Sequence, residues 1–157
     1  MIRDADPEGP VAMTFGQRNA WVAAFVTPAA AVVYLAVVLP HLRDQPASEV
    51  AWAGPMLWTI GATLVATIVG GILVSIAAAV VGREVQPRGD VRDSQIDHYG
   101  DRLAQAVTAF GAAGVLVLAM LEVDHFWIGN ALFLFGSIGA TWGAVAKIRA
   151  YHGAFHG

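Results

Sequence analysis

Four long apolar stretches alternate with short polar segments along this chain. Ala20–Leu39, Ala51–Gly82, Leu103–Leu121 and Phe126–Ala146 contain no Asp, Glu, Lys or Arg. An α-helix rises about 1.5 Å per residue, so about 20 apolar residues cross the hydrocarbon core of a bilayer. The pattern therefore predicts an all-α, polytopic membrane protein. It is expected to be a single membrane domain, a four-transmembrane-helix bundle with spans near 20–39, 55–81, 103–121 and 126–146. Pro40 and Pro46 break the polar loop that includes His41–Val50, and a longer polar segment, 83–102, joins spans two and three. Only Glu122–His125 separates spans three and four, which forces them into an antiparallel hairpin.

Composition agrees with this pattern. Charged residues make up 13% of the 157-residue chain, against about 25% in a soluble domain. The spans take up so much of the chain that little is left for a separate soluble catalytic domain. Cysteine is absent, which excludes disulfides, thiolate catalysis and cysteine metal sites. A net charge of -3 gives no footprint for direct nucleic-acid binding. The first apolar run is longer than the roughly 7–15 residues of a signal-peptide core, so it is expected to remain as a span.

The basic residues predict the orientation. Arg3 and Arg18 precede span one, Arg83, Arg88, Arg92 and Arg102 lie between spans two and three, and Lys147 and Arg149 follow span four. Of the nine Lys and Arg residues, only Arg43 falls on the opposite side. Basic residues stay cytosolic, so both termini and the 83–102 loop are expected inside. Trp52, Trp58 and Trp127 near the outer boundary, with Trp21 and Tyr151 near the inner one, match an interfacial aromatic belt.

Rows of small residues predict helix contacts. Span two carries Thr63, Thr67, Gly71 and Ser75 at a spacing of four, with Ala62, Ala66 and Gly70 beside them. Span four carries Gly136, Ala140 and Ala144, with Gly139 and Gly143 alongside. Apolar side chains gain little by leaving lipid for protein, so helices in a bilayer associate through the close approach that small residues permit. These rows serve internal packing, a homo-oligomer seam, or both. Pro28, inside span one, lacks a backbone donor and is expected to kink that helix.

No Asp, Glu or His lies at mid-depth in any span. Proton-coupled transporters place such groups there, and haem held between helices needs a histidine, so neither is favoured and no cofactor is expected. The outer turn gathers Glu122, Asp124 and His125 with Trp127 and Asn130. A structural zinc site needs three or four ligands in fixed geometry, and this spacing matches no known ligand signature. A polar hairpin cap accounts for the turn most simply, so no metal and no catalytic residue is assigned.

The most informative polar stretch is Arg88–Arg102. Asp93, Asp97 and Asp101 are four apart and line one face of a helix, while Ile96, Tyr99 and Leu103 define another. One helix is expected over Ser94–Leu121, continuing from cytosol into span three, with Gly100 a weak point. The acidic face is either simply solvated or a docking surface, with divalent binding by Asp97, His98 and Asp101 as a third use.

This stretch, Asp90-Val-Arg92-Asp93-Ser-Gln-Ile96, resembles the cytosolic loop of a group of small four-span prokaryotic membrane proteins of uncharacterised activity. Their loop reads Asp-Glu-Arg-Asp followed three residues later by Ile, and Val91 here replaces the usual Glu. The hairpin Ala119–Asn130, the closing Lys147–Tyr151 and the patch Pro55–Gly61 are similar to the same group, so the resemblance covers roughly residues 14 to 152. It implies a multi-pass protein of a prokaryotic cytoplasmic membrane. Genes of this group often lie beside one for a helix-turn-helix regulator, which implies such a regulator as a cytosolic partner. No catalytic residue carries over.

Two functions remain open. The first is a non-enzymatic membrane sensor or interaction protein. It would bind a cytosolic regulator through Asp90, Arg92, Asp93, Ile96, Asp97 and Asp101. The second is a homo-oligomeric channel or transporter for a neutral or hydrophobic solute, lined by Thr59, Thr63, Thr67, Ser75 and Thr108, or an accessory subunit of a membrane complex. A membrane enzyme is the weakest reading.

Overall fold

The computed structural model describes residues 14–80 and 91–154. Its four long helices are α1 (Phe15–Val38), α2 (Ala53–Val80), α3 (Val91–Met120) and α4 (His125–Arg149). Each is long and apolar enough to cross a membrane, and no strand occurs among the described residues. Between α1 and α2 the chain makes two short 3-10 turns, Leu39–Arg43 and Ala47–Glu49.

Local chemistry sets the boundaries. Thr14 caps α1, its hydroxyl oxygen accepting from the Gln17 amide at 3.3 Å. The helix stays continuous through Pro28. Asp124 caps α4, its carboxylate accepting from the Phe126 amide at 2.8 Å. Both caps satisfy amides that a helix N-terminus leaves unpaired. α3 ends in a Schellman arrangement: the Val123 amide donates to Leu118 and the Glu122 amide to Ala119, each at 3.1 Å. Glu122 holds the left-handed position there, with φ 53°, where glycine is usual. The helix expected over Ser94–Leu121 is one helix, beginning earlier at Val91. Gly100 lies inside it, buried against α4, so it is a packing position rather than a weak point.

The helices stand side by side in the order α2, α1, α4, α3. α1 packs on both α2 and α4, and α4 packs on α3. α2 and α3 make no extended contact among the described residues. The expected bundle is thus an open arc. In lipid an apolar face need not be buried, so nothing forces the arc to close. α2 accordingly exposes Leu57, Trp58, Leu64, Val65, Ile68 and Leu73, a continuous apolar surface of the kind that faces a membrane.

Packing differs between the two ends. At one end Tyr34, Val38, Val50, Met56 and Phe126 form a closed core, flanked by Trp52 and Phe133. The α1–α2 connection and the α3–α4 turn lie at this end. At the other end the start of α1, the start of α3 and the end of α4 come together. There Gly16 lies close to the Tyr151 hydroxyl and the Asp97 carboxylate.

Candidate functional site

The open end holds a cleft of about 850 Å³ between α2 and α3, floored by α1 and α4. It is built from small residues. Ala20 and Ala23 of α1 and Ala140, Gly143 and Ala144 of α4 make the floor. Thr67, Gly71 and Ser75, with Ile68, Ile72 and Ile76, make the α2 wall. Small side chains on the floor keep the gap empty where larger ones would fill it.

The α3 wall is polar where it leaves the apolar span. Asp97 and Asp101 line the cleft, facing Lys147 of α4. The Lys147 ammonium binds both, at 3.2 Å to Asp97 Oδ1 and 2.9 Å to Asp101 Oδ1. The spacing of four along α3 brings both carboxylates to one cation. Asp97 Oδ2 faces the start of α1, 3.4 Å from the Cβ position of Gly16. Asn19 projects from α1 toward α2, its Oδ1 3.1 Å from the Cβ position of Gly71. The cleft therefore runs from a charged end, Asp97, Asp101, Lys147 and Asn19, to an apolar end at Ala23, Ile68 and Ala140.

The expected acidic stripe is only partly a free surface. Asp90 lies outside the described residues. Arg92 is exposed and Asp93 half-buried. Asp97 and Asp101 are shared with Lys147 and the cleft. Ile96 is fully buried, which corrects its placement on a docking surface. Its position, with Gly100 and Ala104, is on the α4-facing side of α3 (i, i+4, i+8), so it anchors the helix. Tyr99, grouped with Ile96 in the sequence pattern, is exposed.

The α3–α4 turn, expected to face outward, does not form one cluster. Glu122, His125 and Trp127 are exposed, while Asp124 is committed to its cap. Asn130 is buried and turns inward. Its Oδ1 accepts from the Tyr34 hydroxyl and its Nδ2 donates to the Phe126 carbonyl, both at 2.8 Å. No group of three or more His, Cys, Asp or Glu suited to a metal occurs among the described residues.

The small-residue rows separate into different roles. Gly139 and Gly143 carry the α3–α4 contact, where Gly139 meets Thr108 and Ala104 and Gly143 meets Gly100. Gly136 has open space around it and Ala140 lines the cleft. The hydroxyls of Thr59, Thr63, Thr67 and Ser75 each donate to the carbonyl four residues earlier in α2, at 2.7–2.8 Å. Their donors are thus spent within the helix. Thr108 sits in the α3–α4 contact, apart from that row.

Sequence reasoning missed two features. One is Lys147 as the partner of Asp97 and Asp101. The signal available was a lone lysine at the end of an apolar span and two carboxylates at a helical spacing. The other is Arg18, only 2% exposed, whose guanidinium has no hydrogen-bond partner among the described residues. Helical spacing places it off the α1 face that carries Gly16, Asn19, Ala20 and Ala23, so it does not reach the cleft. No protein-family model, curated protein or solved structure matches the chain, and the site is read from its own geometry.

Proposed function

We propose that this protein is a non-enzymatic, multi-pass sensor or interaction protein of a prokaryotic cytoplasmic membrane. The inner end of α3 is its output and the cleft is its input. One observation carries this reading: Asp97 and Asp101 belong at once to the acidic face of α3, to the cleft wall and to the Lys147 clamp. A change in the cleft therefore changes the charge shown to the cytosol without any relay through the bundle. The unbroken α3 helix, which runs from Val91 to Met120, joins that face rigidly to the span.

The partner of this face is a basic soluble protein, and the loop resemblance points to a helix-turn-helix regulator. The acidic face steers it by charge. Reversal of Asp93, Asp97 and Asp101 together to Lys is expected to abolish co-purification of the neighbouring regulator at matched expression. Equal recovery with wild type would remove the reading. The channel alternative draws less support, because the α2 hydroxyl donors are spent on their own backbone and Thr108 lies elsewhere.

A further inference from the structure

The cleft has the form of a site for a single-chain amphiphile, and its charges select the head. We propose that it binds a cationic amphiphile: an alkyl chain ending in a protonated amine. This rests on the sensor reading, for which it supplies the input.

Three features of the cleft lead to this class. The first is depth. The charged end lies where α3 and α4 leave their apolar runs, and the apolar end points toward the membrane interior. From Lys147 to Ala140 the floor extends about 10 Å along α4, at about 1.5 Å per residue. A bound chain therefore keeps its head at the interface and its tail beside Ile68, Ile72 and Ala23. The second is charge. Among the described residues that line it, two carboxylates face one ammonium, leaving one negative charge to be balanced by a ligand of charge +1. An anionic head would meet the surplus carboxylate, and like charges repel. The third is hydrogen-bond direction. Lys147 contacts Oδ1 of each aspartate, so the Oδ2 atoms lie outside that clamp and can accept from a ligand. The Asp97 carboxylate lies beside the start of α1, its Oδ2 3.4 Å and its Oδ1 3.6 Å from the Cβ position of Gly16. The site thus offers acceptors to an N–H donor, and charge-assisted bonds of this kind are the stronger ones. The α2–α3 gap gives such a molecule lateral entry from the membrane.

The ligand ammonium takes a place beside Lys147, sharing Asp97 and Asp101 with it. The acidic face then keeps only the Asp93 charge unbalanced, and its hold on a basic partner weakens. Ligand binding and partner capture oppose each other in this scheme, each lowering the affinity of the other.

The test uses the full chain in nanodiscs of phosphatidylcholine, whose headgroup has no N–H donor. Native mass spectrometry and titration follow dodecylammonium, dodecyl sulfate and dodecyl maltoside below their micellar concentrations. Saturable binding of one dodecylammonium is expected, about tenfold tighter than either competitor, the scale of one charge-assisted hydrogen bond. Asp97→Asn with Asp101→Asn should remove that preference. Ala140→Phe should block the chain, and since Ala140 is already exposed in the cleft, the larger side chain meets no packed neighbour.

Equal affinity for dodecyl sulfate would overturn the head-group assignment. Unchanged binding by Ala140→Phe would overturn the site, as would uptake that never saturates. Because no regulator is present, failure here leaves the docking reading to its own co-purification test, and failure of that test leaves a positive titration standing.

Discussion

The backbones of α3 and α4 meet at Gly100 and Gly143. A Cβ on Gly143 would stand 2.7 Å from the Gly100 carbonyl oxygen, and one on Gly100 would stand 2.8 Å from the Gly143 carbonyl oxygen. The relation is reciprocal and involves backbone on both sides, so no side-chain rotation relieves it. This contact fixes how deep α4 sits against α3, and hence where Lys147, one turn further along α4, meets Asp97 and Asp101.

Gly143→Ala is therefore expected to force the helices apart, at about 1–3 kcal/mol, the usual scale of overpacking. Gly136→Ala is the matched control. Its Cβ would meet nothing within 4 Å, and alanine is the better helix former by up to about 1 kcal/mol. Thermal unfolding in mild detergent should show a clear drop for the first and no drop for the second. Equal melting of both variants would show that the α3–α4 contact is not closed as described.

The four helices and the tight α3–α4 hairpin were legible in the chain because they depend on local pattern: long charge-free runs and a four-residue polar turn. The closing of α3 on α4 was only half legible. Gly136 and Gly139 belong to rows of small residues on the same helix, and spacing does not say which row is rotated toward the partner. The open side of the arc left no trace at all. In water an apolar stripe marks a buried face, but in lipid the exposed side of α2 is as apolar as any core. Ile96 shows the converse: its neighbour Tyr99 is as apolar in the pattern, yet one is buried and the other exposed. The Asp97–Asp101–Lys147 cluster joins residues far apart in sequence, and only the helix packing brings them together.

Tyr34 and Asn130 supply the hydrogen bond that crosses the closed end of the arc. The Tyr34 hydroxyl donates to Asn130 Oδ1 at 2.8 Å, and both residues are buried. Tyr34→Phe keeps the ring and its contact with Phe133 but leaves Asn130 Oδ1 without its donor. The expected loss is about 0.6 kcal/mol, the mean found for such bonds inside a membrane, and at most about 1.7 kcal/mol. Unfolding of reconstituted protein by a denaturing detergent measures it. An unchanged midpoint would mean that the pair is replaced by another partner at no cost.

Glu122 occupies a left-handed position, φ 53°, at the end of α3. A side chain there is disfavoured by its Cβ, and glycine is not. Glu122→Gly is expected to raise stability by about 1 kcal/mol, without altering the fold. A lower melting temperature would show instead that the Glu122 carboxylate makes a contact worth more than the backbone strain.

The arrangement of ends gives a direct test of topology. The start of α1, the start of α3 and the end of α4 share one end of the molecule, and the α1–α2 connection lies at the other. The bias of basic residues predicts a cytosolic location for the first end. Reporters fused after Gly157 and inserted at Pro46 are expected to report cytosolic and external locations respectively. Both on one side would defeat the arc as a membrane-spanning structure.

Lys147 gives the sharpest test of the link between cleft and output. It neutralises part of the acidic face by binding Asp97 and Asp101. In Lys147→Ala the two carboxylates lose their shared cation and the face becomes more negative by one charge. A basic partner should then be captured more strongly than by wild type, whereas Lys147→Arg, which keeps the cation, should change capture little. If capture is electrostatic, the gain must fade as salt rises, because the screening length shortens from about 10 Å at 0.1 M to about 3 Å at 1 M. Co-purification of the regulator across a salt series, with melting temperature recorded for each variant, separates this from simple unfolding. Stronger, salt-sensitive capture by a variant that still folds supports control of the face by the clamp. Capture that is equal for wild type and Lys147→Ala at low salt would mean that Asp97 and Asp101 serve only to hold α3 against α4, and the proposed output surface would have to be abandoned.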